Sequence, residues 1–279
     1  MSKFRIYAFA DEAANDLDGQ ILAMTENGLN GLEIRGVDGE NISEISKDKA
    51  REIKSKLDAA GLVTWSIGSP SGKIEITDDF APHLDNFKYM LELADILEAK
   101  MFRLFSFYIP QGDNPDIYRD EVMLRLNAFC EAAKGSGVQL CHENEKGIYG
   151  DMAVRCLDIL KNIPDMKGIF DPANFIQCGQ DTLEAWQMLK GYTKYMHVKD
   201  CLADGKVVPA GKGIGSLPMI LSEFAQMGGE NLTLEPHLTV FDSLAALERE
   251  GEKTEIDPFT FATQREAFDA AVSAVRAII

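Results

Sequence analysis

The regular alternation of short strand-like runs with longer helical segments is the feature that most constrains this chain. Eight runs rich in β-branched and aromatic residues begin at Phe4, Gly31, Leu62, Met101, Val138, Lys167, Lys194 and Asn231. Their starts lie 27 to 39 residues apart, and one βα unit needs about 30 residues or more. Eight such units predict an α/β protein with a (β/α)8 TIM barrel. A doubly wound open sheet is the alternative fold, but no GxGxxG motif follows the first run.

The intervening segments have the amphipathic pattern that a barrel's outer helices require. Between residues 84 and 98, five apolar side chains share one helical stripe, namely Phe87, Met90, Leu91, Ala94 and Leu97. With 279 residues and 46% hydrophobic content, we expect one domain over residues 1–279. The chain after about residue 237 is longer than a barrel needs, so we predict an extension that covers or closes the barrel, ending in a helix from about Phe261.

Charge and cysteine content exclude several classes of function. The chain has 28 basic and 45 acidic residues, a net charge of −17, which disfavours nucleic acid and anionic membranes as partners. No apolar run approaches the length of about 18 residues that a membrane helix requires. The five cysteines form no CxxC pair, which favours a reducing cytoplasm. A homo-oligomer is compatible with all of this.

Ionisable residues stand at the ends of the last four predicted strands. They are Glu143, Asp171, His197 and Glu235. The active site of a TIM barrel lies at the carboxyl ends of its strands, so these side chains should converge. Three carboxylates and an imidazole suit one divalent ion such as Mn, Mg, Co or Zn. Each residue alone has a structural alternative, for example Asp171 as a helix cap before Pro172, but four at successive strand ends favour a metal site.

The motifs around these residues carry a family resemblance. HENE, FDPANF, YMHVKD with the loop VVPAGKGIG, and LTLEPH are similar to motifs of the sugar phosphate isomerase/epimerase family, the xylose isomerase-like barrels. FADE, GLNGLEIR and LELADILEAKMFRLFSFY also resemble this family. The likeness extends from residue 4 to about residue 236.

The resemblance implies a mononuclear metal site formed by Glu143, Asp171, His197 and Glu235. A sugar or sugar phosphate would bind there and lose a proton beside its carbonyl to give an enediolate, with Glu143 and Glu235 as the catalytic acid and base. This implies a metal-dependent isomerase or epimerase of carbohydrate metabolism. The alternatives are a keto-inositol or related dehydratase on the same site and a non-catalytic sugar-binding barrel.

Four further side chains are candidate substrate ligands. They are Glu33, Arg103, Asn174 and Lys199. Lys199 fits a substrate contact or an ion pair with a neighbouring strand end equally well, and Glu33 fits substrate orientation or a structural pair with an arginine. The chain departs from many family members at Asn174 and Glu145, where those members have histidines.

Two other features near strand ends leave alternatives open. Trp65, Phe105, Phe107 and Tyr108 fit barrel core or an apolar wall for a sugar. The glycines of GKGIG indicate a tight loop better than a phosphate cradle. A related apurinic endonuclease branch uses a three-metal cluster with many histidines, whereas this chain has four histidines in total, which disfavours DNA cleavage.

Overall fold

The computed structural model describes residues 4–241 and 261–279. In this part of the chain eight parallel strands close a barrel, each paired with its neighbours in sequence and the first with the last. The strands are β1 Arg5–Ala8, β2 Gly31–Ile34, β3 Val63–Ile67, β4 Met101–Leu104, β5 Gln139–Glu143, β6 Lys167–Phe170, β7 Thr193–Val198 and β8 Asn231–Leu234. The predicted TIM barrel is confirmed, and the open-sheet alternative is excluded by the β1–β8 pairing.

Helices surround this barrel. Within the described ranges they are α1 Leu17–Glu26, α2 Lys47–Ala59, α3 Phe80–Ile96, α4 Arg119–Ala133, α5 Ala153–Asn162, α6 Pro172–Gln177, α7 Thr182–Leu189, α8 Leu217–Gln226 and α9 Gln264–Arg276. Side-chain caps begin many of them; the Ser46 hydroxyl, for example, accepts from Lys49 N at 3.1 Å. Among the described residues no helix is long and apolar enough to cross a membrane.

The ends of two predicted elements differ from the structure. The run MFRLFSF was predicted as one strand, but β4 ends at Leu104 because the next residues leave the barrel. Phe105 N donates to Ser71 O at 2.8 Å and Phe107 N to Gly72 O at 3.0 Å, which joins the loops after β3 and β4. The last helix begins slightly after the predicted Phe261, since Thr263 caps it. Much of the predicted C-terminal extension, residues 242–260, lies outside the described residues, so its covering role stays a prediction.

The barrel interior is built of two layers. Alternate residues of a strand point to the same face, and a buried cluster of largely apolar side chains forms what we call the lower layer: Tyr7, Trp65, Met101, Cys141, Ile169 and Tyr195. Two residues further along five of these strands stand Phe9, Arg103, Glu143, Asp171 and His197. Together with Glu33 and Glu235 these form the upper layer. The strand period therefore places the charged side chains at the carboxyl end of the barrel.

Candidate active site

The structure brings together all four predicted metal ligands. One ligand atom from each of Glu143, Asp171, His197 and Glu235 lies within 4.8 Å of all the others, and all four residues are buried. Glu143 and His197 lie on β5 and β7, while Asp171 and Glu235 directly follow β6 and β8. The strand ends therefore aim three carboxylates and one imidazole at a common point.

Arginines fix the outer oxygens of the two glutamates. Arg103 Nη1 donates to Glu143 Oε2 at 3.1 Å, and Arg35 Nη1 donates to Glu235 Oε1 at 3.1 Å. The other oxygens face inward, where His197 Nδ1 lies 2.7 Å from Glu143 Oε1 and 3.5 Å from Glu235 Oε2. Each glutamate is thus oriented by a charged hydrogen bond from behind.

A backbone N–H group orients Asp171. Its Oδ1 accepts from Asn174 N at 3.0 Å, which caps α6. Its Oδ2 is buried and accepts no hydrogen bond of good geometry from any described residue, although Lys199 Nζ lies 2.9 Å away. Lys199 Nζ also donates to Glu235 Oε2 at 3.1 Å. Burial raises the pKa of Asp171 despite the opposing Lys199 ammonium.

Glu33 lies beside the ring edge of His197 that faces away from Glu143. His197 Nε2 is 3.1 Å from Glu33 Oε2, and Glu33 Oε1 accepts from the Tyr195 hydroxyl at 2.9 Å and from Ser66 Oγ at 3.1 Å. Burial alone would raise the pKa of Glu33, but His197 lowers it below the usual range. A carboxylate on the second ring nitrogen fixes the tautomer that leaves Nδ1 to serve as a ligand.

These donors fit a divalent cation. A buried carboxylate oxygen without a good donor, Asp171 Oδ2, normally indicates a missing partner such as an ion. Oxygen and imidazole ligands at this spacing are those that Mg, Mn, Zn and Co accept. Glu143, Asp171, His197 and Glu235 could therefore hold one ion.

The candidate substrate residues lie in or beside this cluster, all of them buried. Lys199 contacts two prospective ligands, the ion-pair arrangement that the sequence left open. The side-chain amide of Asn174 donates to Asn144 O at 2.8 Å. Arg103 also donates to Gly68 O at 3.1 Å. Contact of any of them with a substrate stays a prediction.

Aromatic faces hold both arginines. The Arg35 guanidinium lies 4.3 Å from the ring centroid of Phe9 and 5.1 Å from that of Phe241. The Arg103 guanidinium lies 4.8 Å from Phe9 and 5.0 Å from Phe105. Stacking of this kind stabilises a buried guanidinium, so both cations have fixed positions behind the glutamates.

The other aromatic residues near strand ends divide between core and site. Trp65 stacks on Tyr7 with ring centroids 4.7 Å apart in the lower layer, and Phe107 lies in the main core. Phe105 is the member that contacts the charged cluster, through Arg103. Trp65 and Phe107 are therefore core residues.

The acidic pair of the FADE motif, Asp11 and Glu12, supports the site. Arg35 Nε and Nη2 donate to Asp11 at 2.9 and 3.0 Å, and Nη2 also donates to Glu12 at 3.2 Å. The backbone N–H of His237 donates to Glu12 Oε2 at 2.7 Å. Burial raises the pKa of Glu12 to about 8 against the pull of Arg35. Because FADE directly follows the first strand, inspection of all eight strand ends would have found it.

The GKGIG loop closes around a carboxylate of the protein itself. Asp200 accepts from Gly211 N at 2.9 Å, Gly213 N at 3.0 Å and Gly215 N at 2.9 Å. An added Cβ at Gly213 would lie 2.3 Å from Asp200 Oδ1. The glycines thus serve a tight loop, as the sequence indicates.

Solved structures with the same fold are distant in sequence. A probable 3-DHS dehydratase, AsbF from Bacillus anthracis, is 16% identical with a TM-score of 0.74, covering 98% of this chain and 99% of its own. The IOLI protein with a bound zinc atom is 14% identical, with a TM-score of 0.75 and coverage of 99% and 98%. D-psicose 3-epimerase with D-tagatose from Clostridium cellulolyticum H10 is 13% identical, with a TM-score of 0.71 and coverage of 99% of both chains.

Family membership rests on the sequence itself. No curated protein matches the chain significantly. The family model described as xylose isomerase-like TIM barrel matches residues 21–251, which is most of the chain and includes all four prospective metal ligands. The chain belongs to the xylose isomerase-like TIM barrel family.

Proposed function

We propose that this protein is a metal-dependent isomerase or epimerase that acts on a sugar or sugar phosphate by removing a proton beside its carbonyl. The observation that carries the proposal is the convergence of Glu143, Asp171, His197 and Glu235 within 4.8 Å. Solved structures of the same fold include an epimerase with a bound sugar and a probable dehydratase, both of which are compatible with such a site.

Glu143, Asp171, His197 and Glu235 would hold the ion. When bound, a divalent ion would polarise the substrate carbonyl and stabilise the negative charge that develops as the adjacent carbon loses its proton. The zinc in a solved structure of this fold supports a metal of this class.

Glu143 and Glu235 are the groups that would move the proton. Both lie against the same Arg103 Nη1, at 3.1 and 3.6 Å, so their carboxylates flank a shared point. An arginine holds each carboxylate in place, and a base must lie about 3 Å from the proton that it removes. One glutamate would remove the proton and the other would return it.

The remaining residues of the cluster would orient these groups or the substrate. We propose that Glu33 orients His197 through its side chain. Asn174 orients Asp171 through its backbone N–H, while its side-chain amide holds the backbone of Asn144. Arg103 and Lys199 carry positive charge beside the glutamates and are the better candidates to contact substrate oxygens. An enzyme that retains two candidate proton carriers is favoured over a sugar-binding barrel, which needs neither.

The first experiment is metal analysis followed by proton exchange. The purified protein would be loaded with Mn²⁺ or Mg²⁺ and incubated in D2O with ketoses, keto-inositols and their phosphates, while NMR follows deuterium in the carbon skeleton. About one equivalent of metal and deuterium beside the carbonyl of one substrate are expected. Loss of water with a new double bond would identify the dehydratase alternative, and a metal-loaded protein that exchanges no substrate would refute the proposed function.

A further inference from the structure

Lys199 has an unusual place among the charged residues of the site. Arg35 and Arg103 approach Glu235 and Glu143 through their outer oxygens, Oε1 and Oε2. Lys199 Nζ instead lies 2.9 Å from Asp171 Oδ2 and 3.1 Å from Glu235 Oε2. These are inward oxygens, the ones available to an ion.

An ion and this ammonium would compete for the same two oxygens. Divalent ions of the Mg and Zn type bind carboxylate oxygens at about 2.0–2.2 Å. Because Nζ lies 2.9 and 3.1 Å from these two oxygens, an ion bound to either of them would lie no more than about 5 Å from the ammonium. A dication and an ammonium at that separation repel strongly in a buried site.

The surroundings of Lys199 indicate that its positive charge stabilises the buried carboxylates. The residue is only 5% exposed, and buried carboxylates without a counter-charge are strongly destabilising. Its contact with Asp171 lacks hydrogen-bond geometry, so the interaction is ionic in character and an ion of higher charge can replace it.

We propose that Lys199 is an internal counter-ion that competes with the divalent metal for Asp171 and Glu235. Its ammonium neutralises these carboxylates in the metal-free protein and must leave at least one of them when the metal binds. Lys199 therefore lowers metal affinity and stabilises the metal-free barrel. The inference rests on the metal site of the proposed function but not on any substrate.

The test compares Lys199→Met with Lys73→Met. Met keeps the unbranched shape and most of the length of the lysine side chain and removes its charge. Lys73 is a matched control because its Nζ pairs with Glu145 Oε2 at 3.3 Å, close to the site but on a carboxylate outside the ligand set. Mn²⁺ affinity would be measured by calorimetry, and Tm would be measured in EDTA and with saturating Mn²⁺.

For Lys199→Met we expect Mn²⁺ to bind about tenfold tighter or more, as loss of a like charge near a dication implies. Its Tm in EDTA should fall below that of the wild type, and Mn²⁺ should raise it by a larger increment. Lys73→Met should change Mn²⁺ affinity by less than about threefold, because its ammonium pairs with Glu145 and not with a ligand carboxylate. Lys199→Met affinity equal to or weaker than wild type, or equal to that of the control, would overturn the proposal.

A second measurement covers the case in which Lys199→Met does not fold. In wild-type protein labelled with ¹⁵N at the lysine Nζ, Zn²⁺ should shift the Lys199 resonance, while an unchanged resonance at saturating Zn²⁺ would overturn the proposal.

The proposed function and the competition between Lys199 and the metal can fail separately. Tighter metal binding without proton exchange on any sugar would refute the proposed function alone, and exchange with unaltered Mn²⁺ affinity in Lys199→Met would refute the competition alone.

Discussion

The two layers of the barrel interior are built on the same strands but have opposite chemistry. In the lower layer Tyr7, Trp65 and Tyr195 pack as aromatic rings with Cys141 and Ile169. Two residues further along the strands, the upper layer holds carboxylates, arginine and histidine. A shift of two positions keeps a side chain on the inner face, so the fold can change chemistry along a strand without changing its backbone.

The comparison also shows how each layer is stabilised. The lower layer gains from apolar burial and ring contacts. The upper layer buries several carboxylates, which would be costly without compensation, and three buried cations offset them: Arg35, Arg103 and Lys199. Substitutions in the lower layer should therefore change stability, and those in the upper layer should change metal binding and catalysis.

The largest effect should come from Glu143→Gln in the upper layer. Gln keeps the shape but cannot carry the proton, so deuterium exchange should fall by about 100-fold to 10,000-fold. Glu145→Gln is the matched control, since this carboxylate stands two residues away and pairs with Lys73. NMR exchange rates with Mn²⁺ present measure both, and equal losses in the two variants would contradict the assignment.

Trp65→Ala should have the largest effect on stability from the lower layer. The ring stacks 4.7 Å from Tyr7, and such truncations cost about 3–5 kcal/mol in the free energy of unfolding. Urea unfolding with Mn²⁺ present measures this change. Mn²⁺ affinity in the folded variant should stay within about threefold of wild type, and a larger loss would show that the layers are coupled.

Glu33→Gln tests the contact between the layers. The amide can donate to His197 Nε2 and favour the wrong tautomer, so Mn²⁺ affinity should fall by about 10-fold to 100-fold. Ser66→Ala removes the hydrogen bond that a neutral hydroxyl donates to Glu33 and serves as the control. Calorimetric titration with Mn²⁺ measures both variants, and unchanged affinity in Glu33→Gln would show that Glu33 does not influence metal binding.

The smallest effect concerns His83, which lies on helix α3 outside the barrel. His83 Nε2 accepts from Gly72 N at 2.7 Å, and burial together with Arg125 lowers the pKa of His83 to about 4 from 6.5. The native state binds this proton less readily than the unfolded chain, so the stabilisation is complete above pH 6.5 and is lost as pH falls toward 4. His83→Gln should make the free energy of unfolding, measured by urea denaturation, less dependent on pH between 4 and 6.5. An unchanged pH dependence would show that His83 does not cause this loss of stability.

The sequence predicts the barrel and the four converging side chains because both follow from strand periodicity. It does not predict contacts that depend on closure or on local register. Arg35 reaches Glu235 across 200 residues only because β1 joins β8 and β2. The orientation of Glu33 depends on a register shift between Leu32 and Glu33 in the pairing with β3, which no residue pattern indicates.

The loop around Asp200 has a consequence for motion beside the site. One carboxylate accepts the N–H groups of Gly211, Gly213 and Gly215, so all three bonds depend on a single side chain. These amides should then open as one cooperative unit and exchange with solvent hydrogen at a common rate. A single charge would thereby set how often this edge of the barrel opens.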